Sequence, residues 1–294
     1  MRFLAALMLW LVTTVALAAS VPAVWAQTTI VDEDGYAVLA ATAAKDPRLQ
    51  DAMAGELTIQ VVSLGADNGY PLNPELVRQV AMSYTGNSGF PGQFAQANRL
   101  AHRWMFTGAV PSGNSTDEWL IDVAPMLTDP SFRATLGTLD LEIPPTLTVP
   151  ITVDSPELQP GKLRWLTTWG PWVSVGAAAV TALFALLTLA AARSRGRALT
   201  ALGVSALLVG AAGWAGIEVG RRYLDGALNR TTGDIRTVAE VMVTHAEDSL
   251  HLWLNLTLAA GGGLVVLGVI ASMLGGLRRR PRADSSPATA THFR

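Results

Sequence analysis

The sequence predicts a mostly α-helical membrane protein with four transmembrane helices, an extracytoplasmic helical domain and a short extended or β tether. Three observations carry this expectation. Half of the 294 residues are hydrophobic and only 15% are charged, which lies on the membrane side of ordinary globular composition. Residues 3–25, 171–192, 199–217 and 252–274 each supply the ~20 mostly apolar residues that a helix needs to cross a hydrocarbon core, without a formal charge. Between the first two of these runs, the chain carries repeated helix-start signals.

Residues 1–26 form an N-terminal anchor or a signal peptide. Their apolar run is longer than a usual signal core, while Val24-Trp25-Ala26 before Gln27 also suits cleavage, so both readings stand. Either places Gln27 outside. Residues 27–137 are expected to be the extracytoplasmic helical domain. Asp46-Pro47, Asn73-Pro74 and Asp129-Pro130 each join a capping side chain to a proline at the first helical position, and Ser115 with Glu118 fits a capping box. Helices are therefore expected near 33–44, 47–64, 74–85, 91–107, 116–127 and 130–136, with Gly65, Gly86, Gly108 and Gly137 as stops.

Residues 138–168 read as a Pro-rich tether. β-Branched residues alternate with polar ones there, and Pro144, Pro145, Pro150 and Pro156 exclude a helix or a central strand. Residues 169–277 hold three transmembrane helices, with a helical extracytoplasmic segment at 220–250 that should run from Asp234 into the fourth span without a break. Ile235, Val238, Met242 and Ala246 mark its apolar stripe. Trp165, Trp169, Trp172 and Trp253 suit the membrane interface, where amphipathic indoles settle, and Glu218 with Arg222 has the spacing of a boundary ion pair. Residues 278–294 are a basic, then disordered, cytoplasmic tail.

Sidedness rests on arginine. Arg2, the link with Arg193, Arg195 and Arg197, and the tail with Arg278, Arg279 and Arg280 belong in the cytoplasm, because Lys and Arg are retained there during insertion. This leaves 27–168 and 220–250 outside a plasma membrane. Residues 27–164 hold eight basic against sixteen acidic side chains, a net of −8, which repels nucleic acid. There is no cysteine, so this domain relies on core packing alone.

Catalytic signatures such as HExxH, GxxxxGK[ST] and GxSxG are absent, and no cofactor is implied. The acidic run Asp32, Glu33, Asp34 lacks the downstream ligands of a calcium loop and reads as the N-terminus of a helix. His245, Glu247, Asp248 and His251 spread around a helix rather than converging as metal ligands do. The stretch most like chemistry is "FAQANRLAHRWMF", residues 94–106. At ~100° per residue, Phe94, Ala97, Ala101 and Met105 form an apolar stripe widened by Leu100 and Trp104. Gln96, Arg99 and Arg103 oppose it, while Asn98 and His102 sit on its shoulder, Asn98 nearer the centre. Buried amides and imidazoles need partners, and the ends of neighbouring helices supply them, so the pair is expected to lock helices together.

"ANRLAHRWMFTG" followed by "WLIDVAPML", with "YAVLAATAAKDPRLQDAMA" upstream, resembles a family of uncharacterised actinobacterial integral membrane proteins. Its members share an exported helical domain with an "ANR.AH" helix and an "(I/V)DL.P(V/L)" segment. The likeness covers about residues 30–136 and falls on Tyr36, Asp46, Pro47, Gln50, Asn98, Arg99, His102, Asp122 and Pro125; "DVAP" replaces the commoner "DLGP". It implies an architecture and a cell-membrane location, not a reaction.

The expectation is thus a non-enzymatic envelope protein whose partners are the lipid bilayer and either another envelope protein or a second copy. The ligand or helix-locking candidates are Asn98, Arg99, His102 and Asp122. A transport component and an exported sensor or hydrolase using Asn98 and His102 are the alternatives. The spans offer few polar groups beyond Ser, Thr and Asn255, which disfavours an ion path. Ala212/Gly216, Gly216/Gly220 and Ala259/Gly263 are small pairs suited to close packing, within the bundle or between copies.

Overall fold

A computed structural model of the chain describes residues 2–67, 69–107, 118–122, 148–152, 161–192, 194–229 and 233–277. It is mostly helical, and four helices are long and apolar enough to cross a membrane. Helix α1 (Arg2–Ala26) continues through a π-helical turn, Gln27–Val31, into the domain helices α2 (Glu33–Ala43), α3 (Pro47–Asp67), α4 (Pro74–Thr85) and α5 (Phe90–Thr107). Strands β1 (Glu118–Asp122) and β2 (Thr148–Thr152) pair antiparallel, and α6 (Arg164–Ala191), α7 (Arg195–Leu228) and α8 (Gly233–Leu277) follow.

The caps act as their chemistry requires. Asp32 accepts from Gly35 N at 2.9 Å, Asp46 from Arg48 N at 2.8 Å and Asn73 from Glu75 N at 2.9 Å. Three expected elements need correction. The helix expected over 116–127 is replaced by β1: Glu118 pairs with Thr152 in a ladder, and the "EWLID" run has the β-prone residues that suit one. Helix α3 runs past Gly65 to Asp67, and the positive φ of 80° falls at Gly69 instead. The second span begins at Arg164, so the last residues assigned to the tether are helical; Pro171 removes a single backbone donor and does not end the helix. Residues 148–152 are extended, as β2. Asp129-Pro130, the helix at 130–136, Gly108 and Gly137 lie outside the described residues.

The fourth span is one unbroken helix from Gly233, as its uninterrupted periodicity predicts. Its 45 residues extend about 68 Å, more than twice the hydrocarbon thickness, so it also reaches the domain. There Val241, 1% exposed, completes the core made by Ala40, Ala43, Leu49, Tyr84, Phe90 and Phe94. Val238 and Met242 pack alongside, whereas Ile235 is exposed, so the stripe is turned from the expected one toward Val241. The domain is therefore seated on α8 and joined directly to α1.

In the bundle, α1 meets α6 through Thr13 and Thr188 (3.4 Å) and meets α7 through Thr14 and Ser205 (2.7 Å). Trp10 Nε1 donates to Ala201 O at 2.9 Å. Helices α7 and α8 approach closely at glycine, but not at the expected pairs. Gly203 faces Gly261, and Gly268 faces Gly196 and Thr200, while a Cβ on Gly216, Gly220 or Gly263 would meet nothing within 4 Å. Asn255 is also not interior; it is exposed on α8, and its Oδ1 accepts from Trp214 Nε1 at 3.2 Å.

Candidate functional site

The residues that looked most like chemistry lie where α5 crosses the junction of α1 and α2. The junction is tight. A Cβ on Gly35 would lie 1.8 Å from Thr28 O, so only glycine lets the first turn of α2 fold back on the π turn. That turn leaves carbonyls without partners in the helix, a defect common to helix C-termini. His102 fills one of these places: its Nε2 lies 3.1 Å from Ile30 O. A carbonyl can only accept, so Nε2 carries the proton and donates.

His102 is 3% exposed, deeper than its expected place on the shoulder of the stripe. Its ring stacks on Phe106 at 4.1 Å and 12°, and the Tyr36 ring lies 5.4 Å away, tilted by 37°. Burial pushes the Tyr36 phenol up from its usual value, which keeps it neutral. Asn98 does not bridge helices as expected. Its Nδ2 donates to Phe94 O of the same helix at 2.9 Å. The buried face of α5 thus runs through Phe94, His102 and Phe106, turned from the stripe that Ala97 and Met105 suggested, because α2 and the end of α1 press on that side.

Arg99 and Arg103, one turn apart, face the acidic start of α2. Arg103 makes a forked contact with Glu33, at 2.7 Å to Oε1 from Nη2 and 3.0 Å to both oxygens from Nε, and Arg99 reaches Asp34 at 2.5 Å. The hydrogen bonds from Arg103 hold the Glu33 carboxyl below its usual range against the opposing effect of burial, and the charge of Arg99 adds to this. The acidic run therefore has partners across the junction in addition to its helix-end role. The sequence carried the signal: two acids in one helical turn, and two arginines four residues apart.

A lowered carboxylate contributes stability above its unfolded value and loses it as pH falls through the folded value. Arg103→Gln is accordingly expected to lower the unfolding midpoint at pH 7. The difference from the wild type should vanish well below the ordinary Glu value of 4.5, once Glu33 is protonated in both. A difference that persists at pH 2.5 would mean that Arg103 acts through packing alone.

The other sequence candidates disperse. Asp122 is in β1 opposite Thr148, and its side chain lies outside the described residues. Trp165, Trp169 and Trp172 are all more than 60% exposed on the first turns of α6, on the side of the bundle nearest the domain. Trp253 is half-buried on α8. Glu218 and Arg222 do not pair; the ion pair at that end joins the neighbouring Arg221 to Glu247 of α8 at 2.5 Å. Arg195 and Arg197 are exposed at the end of α7 remote from the domain, whereas Arg193, Arg278, Arg279 and Arg280 lie outside the described residues. His245 Nδ1 is 3.0 Å from Val241 O, and His251 stacks on Trp214 at 3.9 Å. No protein-family model, curated protein or solved structure matches this chain.

Proposed function

We propose that this is a non-enzymatic multi-pass protein of the cell envelope whose acidic helical domain lies outside the membrane and engages another envelope component. The observation that carries the reading is the commitment of His102. Its ring is enclosed by Phe106 and Tyr36 and its Nε2 is spent on the end of α1, so it joins helices rather than facing a substrate. The domain offers a contact surface elsewhere. Around the α3–α4 connection, Ile59, Tyr70 and Leu76 are each about 60% exposed or more, an apolar presentation suited to a protein partner. Seating on α1 and α8 would hold that surface at a fixed height above the bilayer. The resemblance to an actinobacterial membrane-protein family fits the same architecture.

Because the chain has no cysteine, a single Tyr70→Cys variant reports sidedness cleanly. A membrane-impermeant maleimide should label it in intact cells; labelling only after lysis would invert the topology. A photo-crosslinking residue at position 76 should capture a discrete envelope component in living cells. Background-level capture at positions 59, 70 and 76 together would remove the partner reading.

A further inference from the structure

Helices α1, α7 and α8 enclose a groove of about 390 Å³ on the domain side of the bundle. Its walls include Ala18 and Pro22 of α1, Gly213 and Gly216 of α7, and Leu250 and Leu254 of α8, all apolar. Gly216 has no atom within 4 Å of the place a Cβ would take, so the missing side chain is left as space. The stretch of α7 along the groove, Val209 to Ile217, is about 12 Å long.

The mouth is polar. One turn beyond Ile217 stands Arg221, and one turn before Leu250 stands Glu247. Arg221 grips Glu247 with Nε and Nη2, which leaves Nη1 outside that pairing, and the side chain is 49% exposed. Glu218 and Asp225 are near enough for their charges to act on the same guanidinium, and Arg222 is exposed beside it. The mouth therefore presents both signs within one helical turn of Arg221.

These features select among occupants. A purely anionic amphiphile would meet the carboxylates of Glu218 and Asp225, and a purely cationic one would meet Arg221 and Arg222. A helix from a second copy would need a continuous small-residue track, but Leu254 fills the space in front of Gly213, where a Cβ would be 2.4 Å from its Cδ2. A flexible hydrocarbon chain has no such requirement. We infer that the groove holds one acyl chain of a zwitterionic glycerophospholipid, its phosphate on Arg221 Nη1 and its ammonium against Glu218 and Asp225.

The test is native mass spectrometry of the full chain released from vesicles of equimolar phosphatidylethanolamine and phosphatidylglycerol. The wild type should retain one phosphatidylethanolamine per chain. Gly216→Leu fills the groove and should lower retention roughly tenfold, the effect of about 1.4 kcal/mol. Gly262→Leu enters equally open space outside the groove and should retain lipid normally. The double variant Glu218→Gln with Asp225→Asn leaves the groove intact and should shift retention toward phosphatidylglycerol, which decides the matter even if Gly216→Leu does not fold. The inference is overturned by absence of retained lipid in the wild type, by equal retention of both lipids with no shift in the double variant, or by a wild-type dimer that Gly216→Leu dissolves.

Discussion

His102→Ala is expected to destabilise the helical domain by about 3 kcal/mol, a sizeable part of the stability of a domain this size. Two losses combine. Ile30 O, at the end of the π turn, would lose its donor in a half-buried place, and the imidazole volume beside Tyr36 and Phe106 would become a void. His102→Gln separates them, because the amide supplies a donor and much of the volume but cannot stack on Phe106. It should recover about half of the loss. Urea unfolding in mild detergent, followed by hydrogen exchange of the domain helices, measures both variants. If alanine and glutamine fall together at the wild-type midpoint, His102 is not a lock and its burial needs another explanation.

That prediction also marks how far the sequence could be read. Capping residues at 46 and 73 act on the adjacent backbone, so their roles follow from local spacing, and the structure places them as expected; Asp32, read only as part of an acidic helix start, caps α2 in the same way. Apolar length set the four spans for the same reason: a helix in hydrocarbon satisfies its own backbone. Failures arise where a distant element decides. Nothing within α5 says that Ile30 will offer a carbonyl, so His102 read as a shoulder residue although it is the better buried of the pair. The "EWLID" run changed identity because Thr148–Thr152, 26 residues away at the nearest, provides its ladder. Small residues at helical spacing were visible throughout the spans, but spacing does not reveal which face meets a neighbour. Gly216 and Gly220 form as good a pair as any, yet a Cβ on either would meet nothing within 4 Å.

Gly203→Leu should have the largest effect in the membrane part of the chain. A Cβ at Gly203 would lie 2.6 Å from Gly261 O and 2.7 Å from Val265 N, both backbone atoms of α8 that cannot move without the helix. The same contact seen from α8 is a Cβ on Gly261 2.9 Å from Gly203 O, so each helix is smooth where the other presents its backbone. This close approach matters because apolar side chains gain little by leaving lipid for one another. Dispersion between touching backbones holds such helices together. Leucine would push α7 and α8 apart along their shared length and cost about 3 kcal/mol, the upper end for overpacking. The penalty should travel: α8 carries Val241 into the domain core, so the domain should lose protection from hydrogen exchange around Leu49 and Phe90, far from the substitution. Gly176→Leu, whose Cβ meets nothing within 4 Å, adds the same bulk without that contact and should leave both readouts unchanged. Equal destabilisation by the two leucines would show that bulk in the bilayer, not the glycine contact, governs the bundle. Loss of bundle stability with an intact domain core would show that α8 does not transmit the strain.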